Sequence, residues 1–305
     1  MGPASMHTAQ PASTTHQALA AWRARGQIES VGAHRLFVVD TTADGSPPDP
    51  ALPPVLFLHG FPTASFDYAR LAPLLPGRRL IFFDCLGFGF SDKPTRHPYA
   101  LVEQATLAEQ ILAARGLHTV AVVGHDMGSS VALILLERAR VTVTHLVLLN
   151  GSILLQHYRP LITQRLLLNR LTGPLISALG LINRPVFDRQ FSRLFPTPPP
   201  AEELAAFWSL ITEQGGQRIY HRLIGYLRDR RAHELTWFAA LTQHTAPLLI
   251  LWGQLDVVSR PAIGEAIAAA RPDARMRRLT ALGHYPQWDD PVSIAAELDA
   301  FLPRS

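Results

Sequence analysis

The chain has 305 residues, of which 48% are hydrophobic and 17% charged, a composition typical of a globular protein with a sizeable core. The net charge is only +4 and the arginines form no basic stripe, so nucleic acid is not expected as a partner. A single cysteine, Cys85, excludes an internal disulfide and a cysteine-based zinc site, and it favours a reducing, cytoplasmic location. No apolar run is long enough for a membrane span.

The start of the chain carries no strong structural pattern. Residues 1–17 are polar and lack the apolar centre of a signal peptide. We therefore expect residues 1–29 to form a flexible N-terminal segment that leads into the first structural unit.

Short apolar runs alternate with helical patterns through much of the remaining chain. The runs predict buried strands at Val55–Leu58, Leu80–Asp84, Val120–Val123, Leu146–Leu149, Leu248–Trp252 and Met276–Leu279. The helical patterns lie at 65–75, 100–115, 128–139, 261–270 and 291–302. This alternation predicts an α/β fold with a mostly parallel, doubly wound sheet.

The alternation is interrupted between residues 151 and 235. No strand pattern occurs there; helical patterns cover Leu161–Leu171, Ala201–Thr212 and Gln217–Arg230. The simplest interpretation is a helical cap at 151–235, inserted into a core domain that comprises residues 30–150 and 236–305.

The segment Gly124–Gly128 is the first candidate for chemistry. It reads Gly-His-Asp-Met-Gly, follows a predicted strand and opens a predicted helix, which is the context of a nucleophile elbow. The glycines permit a strained turn that exposes the central side chain above the sheet. That residue is Asp126, whose carboxylate is already ionised and can attack an alkyl carbon without a base.

Two backbone amides are candidates for an oxyanion hole. The loop His59–Pro62 follows the strand Val55–Leu58, and such a loop supplies one N–H group, while the residue after the nucleophile supplies the other. We assign these roles to the amides of Phe61 and Met127.

Asp256 and His284 complete a catalytic triad in the chain order nucleophile, acid, histidine. Asp256 comes just after the run Leu248–Trp252, and His284 precedes the last helical pattern. His284 is expected to deprotonate water for hydrolysis of an Asp126 ester, with Asp256 orienting its ring.

Metal and cofactor motifs are missing from the sequence. His125 and Asp126 are adjacent but lack the companion spacing of a metal site, and Gly87–Gly89 lacks the third glycine of a dinucleotide motif. We expect no metal and no cofactor, with water as the only co-substrate.

The aspartate elbow, together with His59–Pro62 and Phe83–Pro94, resembles the epoxide hydrolase and haloalkane dehalogenase branch of the α/β-hydrolases. Within that branch the chain is most similar to the mesoderm-specific transcript-like hydrolases, and the resemblance covers residues 30 to 303. It implies an α/β-hydrolase fold that binds a small hydrophobic substrate. Haloalkane dehalogenases usually hold halide with side-chain N–H groups at the positions of Phe61 and Met127, which offer none here.

Epoxide hydrolases of this branch use tyrosines of the cap to bind the epoxide oxygen. The resemblance implies this role for Tyr226, with Tyr158 or His157 as its partner. The favoured hypothesis is hydrolysis of an epoxide to a vicinal diol by a monomer or homodimer. The alternatives are a haloalkane or haloacid dehalogenase, a carboxylesterase, and a ligand-binding protein with a hydrolase shell.

Overall fold

A computed structural model describes residues 15–44 and 48–303 of the chain. Eight strands form one sheet in the order β1-β2-β4-β3-β5-β6-β7-β8. Only the pairs β1–β2 and β2–β4 are antiparallel, and the other five pairs are parallel. The strands are β1 (Gln27–Val31), β2 (His34–Asp40), β3 (Val55–Leu58), β4 (Leu80–Phe83), β5 (Thr119–His125), β6 (Thr142–Leu149), β7 (Leu248–Gly253) and β8 (Arg275–Leu279).

Twelve α-helices occur in the described part of the chain. They are α1 (Thr15–Arg25), α2 (Leu101–Ala114), α3 (Met127–Arg138), α4 (Ile162–Leu168), α5 (Thr172–Ala178), α6 (Arg184–Phe191), α7 (Ala201–Thr212), α8 (Tyr220–Leu223), α9 (Tyr226–Gln243), α10 (Pro261–Ala270), α11 (Pro286–Asp289) and α12 (Pro291–Phe301). None of the helices that the structure describes is both long and apolar enough to cross a membrane.

The central strands are buried, which is why apolar runs in the sequence located them. Every residue of β3, β4 and β7 is buried, as expected for strands covered by helices on both faces. All six strands predicted from apolar runs are present, with small differences at their ends. The prediction of a mostly parallel α/β sheet is confirmed.

Three local predictions need correction. Residues 15–29 were expected to be flexible, but they form α1 and the start of β1, and Trp22 of α1 is buried with its indole N–H donating to Ser65 Oγ at 3.2 Å. Residues 1–14 lie outside the described residues. The helix predicted at 65–75 consists of two short 3₁₀ turns, Ser65–Tyr68 and Ala72–Leu74.

The third correction concerns the helix predicted at Gln217–Arg230. Gln214 and Gly215 adopt positive φ angles, and the chain then runs through a 3₁₀ turn, the short α8 and the long α9. The helices α4–α9 (Ile162–Gln243), which we call the helical insertion, connect β6 to β7. Helix α9 packs against α3 and continues past residue 235, where the sequence analysis ended the cap.

Candidate active site

The turn between β5 and α3 presents Asp126 at the carboxyl-terminal edge of the sheet. Asp126 has φ +45° and ψ −111°, a backbone conformation that residues other than glycine rarely adopt. The turn is possible because glycines flank it closely: a Cβ atom at Gly128 would collide with the carbonyl oxygen of Leu58 on β3. The strained elbow predicted from the sequence therefore exists, and it places Asp126 next to the loop after β3.

Both oxygens of the Asp126 carboxylate accept hydrogen bonds. The amide of Phe61 donates to Oδ2 at 3.0 Å, and the hydroxyl of Ser152 donates to Oδ1 at 2.6 Å. Gly60 allows the loop this close, since a Cβ atom there would lie 2.6 Å from the Asp126 Cβ. Met127 is the first residue of α3, so its amide has no acceptor within the helix. The Phe61 amide thus lies against the carboxylate, and the role of the Met127 amide stays a prediction.

A buried arginine stands behind Ser152. Arg230 of α9 is fully buried; its Nη1 donates to Ser152 Oγ at 2.5 Å and its Nε donates to Ser130 Oγ at 2.9 Å. Burial pushes the pKa of Asp126 upward, but the positive charges of His284 and Arg230 and the hydrogen bond from Ser152 hold it below its usual value. Asp126 is therefore an ionised carboxylate inside an enclosed site.

His284 and Asp256 form the dyad that the sequence predicted. Nδ1 of His284 lies 2.6 Å from Asp256 Oδ2, and both side chains are buried. Asp256 is fixed in turn by the amides of Val258 and Ser259 at 2.8 and 2.9 Å and by Asn150 Nδ2 at 2.7 Å. Because the carboxylate only accepts hydrogen bonds, the ring proton lies on Nδ1 and leaves Nε2 free as a base.

The pKa of His284 is raised above the 6.5 of an unperturbed histidine. Burial acts in the opposite direction, but the negative charges of Asp256, Asp126 and Asp67 outweigh it. His125 ties the His284 loop to the elbow, because its Nε2 donates to the backbone carbonyl of His284 at 2.8 Å. Burial lowers the pKa of His125 to about 3, so this ring stays neutral.

A cavity opens over Asp126 and His284. It contains about 600 Å³ of space free of atoms, part of it open to solvent. Its lining is mostly apolar, which fits the binding of a hydrophobic small molecule. Apart from Asp126 and His284, the lining residues are Phe61, Pro62, Tyr158, Leu161, Thr163, Gln164, Leu167, Ile182, Val186, Phe187, Gln190, Phe191, Leu194, Tyr220 and Val258.

Tyr158 and Tyr226 lie together beside the Asp126 carboxylate. The Tyr226 hydroxyl is buried and has no hydrogen-bond partner of standard geometry among the described residues. The hydroxyls of Tyr158 and Ser152 are nevertheless near enough to influence its pKa, which burial and the charge of Asp126 raise. Burial and the neighbouring Tyr226 and Asp126 likewise raise the pKa of Tyr158, so both phenols remain protonated.

The structure does not bring His157 to the cavity. His157 is the last residue of a turn, in which its amide donates to the carbonyl oxygen of Leu154 at 3.2 Å, whereas Tyr158 pairs with Ser259 in an isolated antiparallel bridge. Tyr158 faces the cavity, whereas His157 is partly exposed and contacts Gln156.

Comparisons with known proteins decide the family. A family model described as the alpha/beta hydrolase fold matches residues 53–291. The chain is an α/β-hydrolase. It is 37% identical to LipZ of Mycobacterium tuberculosis over 283 residues, covering 90% of this chain and 94% of LipZ. It is 33% identical to the mesoderm-specific transcript protein of Mus musculus over 301 residues, covering 93% of this chain and 87% of that protein, which confirms the resemblance seen in the sequence.

Solved structures agree with this family at the level of the fold. The haloalkane dehalogenase DbeA of Bradyrhizobium elkani superposes with a TM-score of 0.77 at 22% identity, covering 91% of this chain and 97% of DbeA. The prediction of an enzyme with the α/β-hydrolase fold is thereby confirmed.

One group of side chains in the described part of this α/β-hydrolase has the composition of a metal site. It consists of His34, His97 and Glu103, whose potential ligand atoms lie within 4.8 Å of one another. Nδ1 of His97 accepts the amide of Tyr99 at 3.1 Å, so a neutral His97 carries its proton on Nε2. That N–H lies 3.2 Å from Glu103 Oε1. A hydrogen bond from His97 to Glu103 therefore accounts for the closeness of these side chains without a metal ion.

Sequence reasoning missed the polar residues that support the hydrolase triad. Ser152 and Arg230 are 78 positions apart and meet only through the packing of α9 against α3. Asn150, directly after β6, bonds to both Asp256 and the amide of Gly253. The position of Asn150 just after a buried strand was the one signal available in the sequence. Side chains at the carboxyl ends of parallel strands meet at the same edge of the sheet, so this position could have indicated a contact with the site.

Proposed function

We propose that this α/β-hydrolase converts an epoxide to a vicinal diol through an alkyl ester of Asp126. The observation that carries the proposal is the pair of protonated phenols, Tyr226 and Tyr158, beside an ionised and buried aspartate. An epoxide needs such donors because its ring oxygen becomes an alkoxide when a carboxylate opens the ring.

In the first step Asp126 Oδ1 attacks an epoxide carbon. The other oxygen, Oδ2, already accepts the Phe61 amide and becomes the carbonyl oxygen of the ester. The carbon–oxygen bond of the ring breaks, and the alkoxide takes a proton from Tyr226 or Tyr158. Alkylation also releases Ser152 from its bond to a full negative charge.

In the second step Nε2 of His284 removes a proton from water, and the hydroxide adds to Cγ of Asp126. The amides of Phe61 and Met127 stabilise the oxyanion that forms. The bond between Cγ and Oδ1 then breaks, and Oδ1 leaves with the product and takes the proton from His284. The carboxyl proton left on Asp126 returns to the tyrosine, which restores the ionised nucleophile. Water supplies both protons of the diol.

Carbon–halogen hydrolysis would use the same nucleophile and the same water but a different leaving-group site. Phe61 and Met127 carry no side-chain N–H group that could bind a halide, whereas the tyrosine hydroxyls suit an alkoxide. Hydrolysis of a carboxylester would give the hydroxyls of Tyr226 and Tyr158 no role in the reaction. The epoxide proposal therefore uses more of the site than either alternative.

The helical insertion acts as the cap of this site in our proposal. It supplies Tyr226 and most of the apolar lining, chiefly from α6 and the residues that flank it, so the proposed substrate is a small hydrophobic epoxide. A cytoplasmic enzyme with no metal or cofactor, working as a monomer or homodimer, remains our prediction for the whole protein.

The decisive experiment is a panel of paired substrates on one carbon skeleton. Each pair contains a terminal epoxide and the corresponding terminal bromide, with diol and bromide release measured on the same enzyme preparation. We expect diol formation from apolar epoxides and little bromide release. Bromide release that outpaces diol formation across the panel would assign the enzyme to carbon–halogen hydrolysis instead.

A further inference from the structure

The outer surface of α4 and α5 is unusually apolar. Six of the 13 exposed large hydrophobic side chains in the described part of the chain fall within residues 162–181. They form what we call the leucine face: Ile162, Leu166, Leu171, Leu175, Leu179 and Leu181. The other seven are spread over the rest of the protein. Clustered exposure of this kind marks a binding surface, while single exposed leucines need no explanation.

The leucine face follows the helical period. Leu171, Leu175 and Leu179 are spaced by four residues along α5 and its two ends, so they lie in one row, and their exposed fractions are 84%, 57% and 62%. Ile162 and Leu166 repeat the spacing on α4. The inward side of α5 holds Gly173 and Ser177, which are buried. On α5 the apolar side is therefore turned outward, whereas α4 carries apolar side chains on its outer side and also, at Leu167 and Leu168, on its inner side.

The stretch of chain that carries this face has only positive charges. Residues 138–187 contain no aspartate and no glutamate. Arg159, Arg165 and Arg170 are exposed within this stretch. None of these three arginines makes an ion pair with a residue that the structure describes. Leucines in a row with arginines beside them match a membrane surface, where apolar side chains enter the lipid and cations meet anionic headgroups.

We propose that the leucine face lies on an anionic lipid surface. The helices are too short to cross a bilayer, so they rest in its interface. A second copy of the chain is a poorer occupant. A two-fold contact through this face would set Arg165 and Arg170 against the same arginines of the other copy.

The position of the face relates it to the cavity. On α4, Ile162 and Leu166 are exposed, while Thr163, Gln164 and Leu167 of the same helix line the cavity. A helix that is one wall of the cavity would thus touch the membrane with its outer side. A hydrophobic epoxide dissolved in lipid could then reach Asp126 with little passage through water, a consequence that rests on the proposed function.

The binding itself is tested without any turnover, so its outcome is independent of epoxide hydrolysis. The purified protein is sedimented with vesicles of phosphatidylcholine alone and of phosphatidylcholine with 30% phosphatidylglycerol. We expect binding to the anionic vesicles that weakens as salt is raised. The triple variant Leu171→Gln/Leu175→Gln/Leu179→Gln should lower the partition coefficient by about tenfold for each leucine removed from lipid.

A matched control carries Leu74→Gln/Leu235→Gln/Val292→Gln, three exposed apolar residues outside the face. It should bind vesicles like the unmodified protein, and thermal unfolding followed by circular dichroism verifies that both variants are folded. Arg165→Gln/Arg170→Gln should remove the preference for anionic vesicles. Equal loss of binding in both triple variants, or no vesicle binding at all, overturns the proposal. Dimerisation that the leucine variant alone abolishes would identify a second copy as the occupant instead.

Discussion

The carboxyl-terminal edge of the sheet and the helical insertion line the same cavity, but they are held in different ways. At the sheet edge Asp126, Asp256 and His284 each make at least two hydrogen bonds, to backbone amides or to other buried side chains. The insertion meets the cavity mainly with apolar side chains, and the Tyr226 hydroxyl lacks a partner of standard geometry among the described residues. The edge is pre-organised for one chemistry, while the insertion can accommodate different substrates.

This difference predicts how variants behave. A change at the sheet edge removes an interaction that no neighbour replaces, so it should stop a chemical step. A change in the insertion should mainly alter substrate binding or leaving-group stabilisation. Five experiments test the distinction, beginning with the largest expected effect.

Replacing Asp126 removes the proposed nucleophile itself. Asp126→Ala should lower turnover by roughly a factor of 10⁴ or more, since no other side chain occupies the elbow. Turnover of an epoxide and unfolding by circular dichroism are measured together. Asp273→Ala, a change at an aspartate of the exposed surface, serves as the control and should be fully active. Substantial turnover in the Asp126 variant would remove the ester mechanism from consideration.

Replacing His284 should separate the two half-reactions. In His284→Gln, ester hydrolysis is expected to slow by roughly 10²- to 10⁴-fold, because the general base is lost while the carboxylate still attacks. An alkyl adduct should then accumulate on the peptide that contains Asp126, as detected by mass spectrometry. His157→Gln is the control, because His157 lies away from the cavity, and it should accumulate none. An adduct on Cys85 would contradict the mechanism.

Replacing Tyr226 tests whether the helical insertion stabilises the leaving group. Loss of one oxyanion donor typically costs roughly 100- to 1000-fold in rate. Tyr226→Phe should therefore slow alkylation of Asp126 by an epoxide by up to that factor and leave ester hydrolysis unchanged, as resolved by single-turnover kinetics. Tyr158→Phe should act on the same step. Tyr220→Phe changes a tyrosine that lines the cavity and whose pKa responds to burial alone, and it should alkylate normally.

The same contrast explains what the sequence could reveal. The elbow and the acid come just after the buried strands β5 and β7, so apolar runs and glycines locate them within a few residues, whereas His284 follows the only partly buried β8 and was located by its order in the chain. The strand β1 was missed because it is largely exposed and lacks an apolar run, while the buried run Leu36–Val39 of β2 was present in the sequence and was overlooked. The predicted helix Gln217–Arg230 is interrupted before α9 at Gly225, a residue that helical patterns tolerate, so the interruption was missed.

The insertion was harder to predict for a physical reason. Its helices are positioned by packing against the core, and neither spacing nor propensity records which side chains then meet the nucleophile. Tyr226 could be named only through resemblance, and the choice between His157 and Tyr158 depended on a local turn that the sequence does not specify. Arg230 stands between Arg228 and Arg231, a cluster typical of a solvated helix face, although it is fully buried.

Ser152 tests how far the support of Asp126 extends beyond the triad. Its hydroxyl donates to Asp126 Oδ1 and accepts from Arg230. A hydrogen bond to a charged group contributes about 1.5–3 kcal/mol, so Ser152→Ala should slow alkylation by roughly 10- to 100-fold. Ser130→Ala is the matched control, because Ser130 bonds to the same arginine but makes no hydrogen bond to Asp126. Equal effects of the two changes would assign the role to Arg230 alone.

The smallest expected effect is a change in the pKa of His284 between the two half-reactions. In the free enzyme the Asp126 carboxylate is one of the charges that raise the pKa of His284. Alkylation neutralises that carboxylate, so the pKa of His284 should fall in the ester and release a neutral base when water must be activated. The hydrolysis rate should decrease by about tenfold per pH unit below this pKa, because protonated His284 cannot accept a proton. Alkylation should stay constant over the same range, since the pKa of Asp126 is held low. Asp126→Asn mimics the neutral ester, and NMR titration should show a lower His284 pKa in that variant than in the unmodified enzyme. Identical titration curves would mean that Asp256 alone sets the pKa and that the two half-reactions are not coupled through His284.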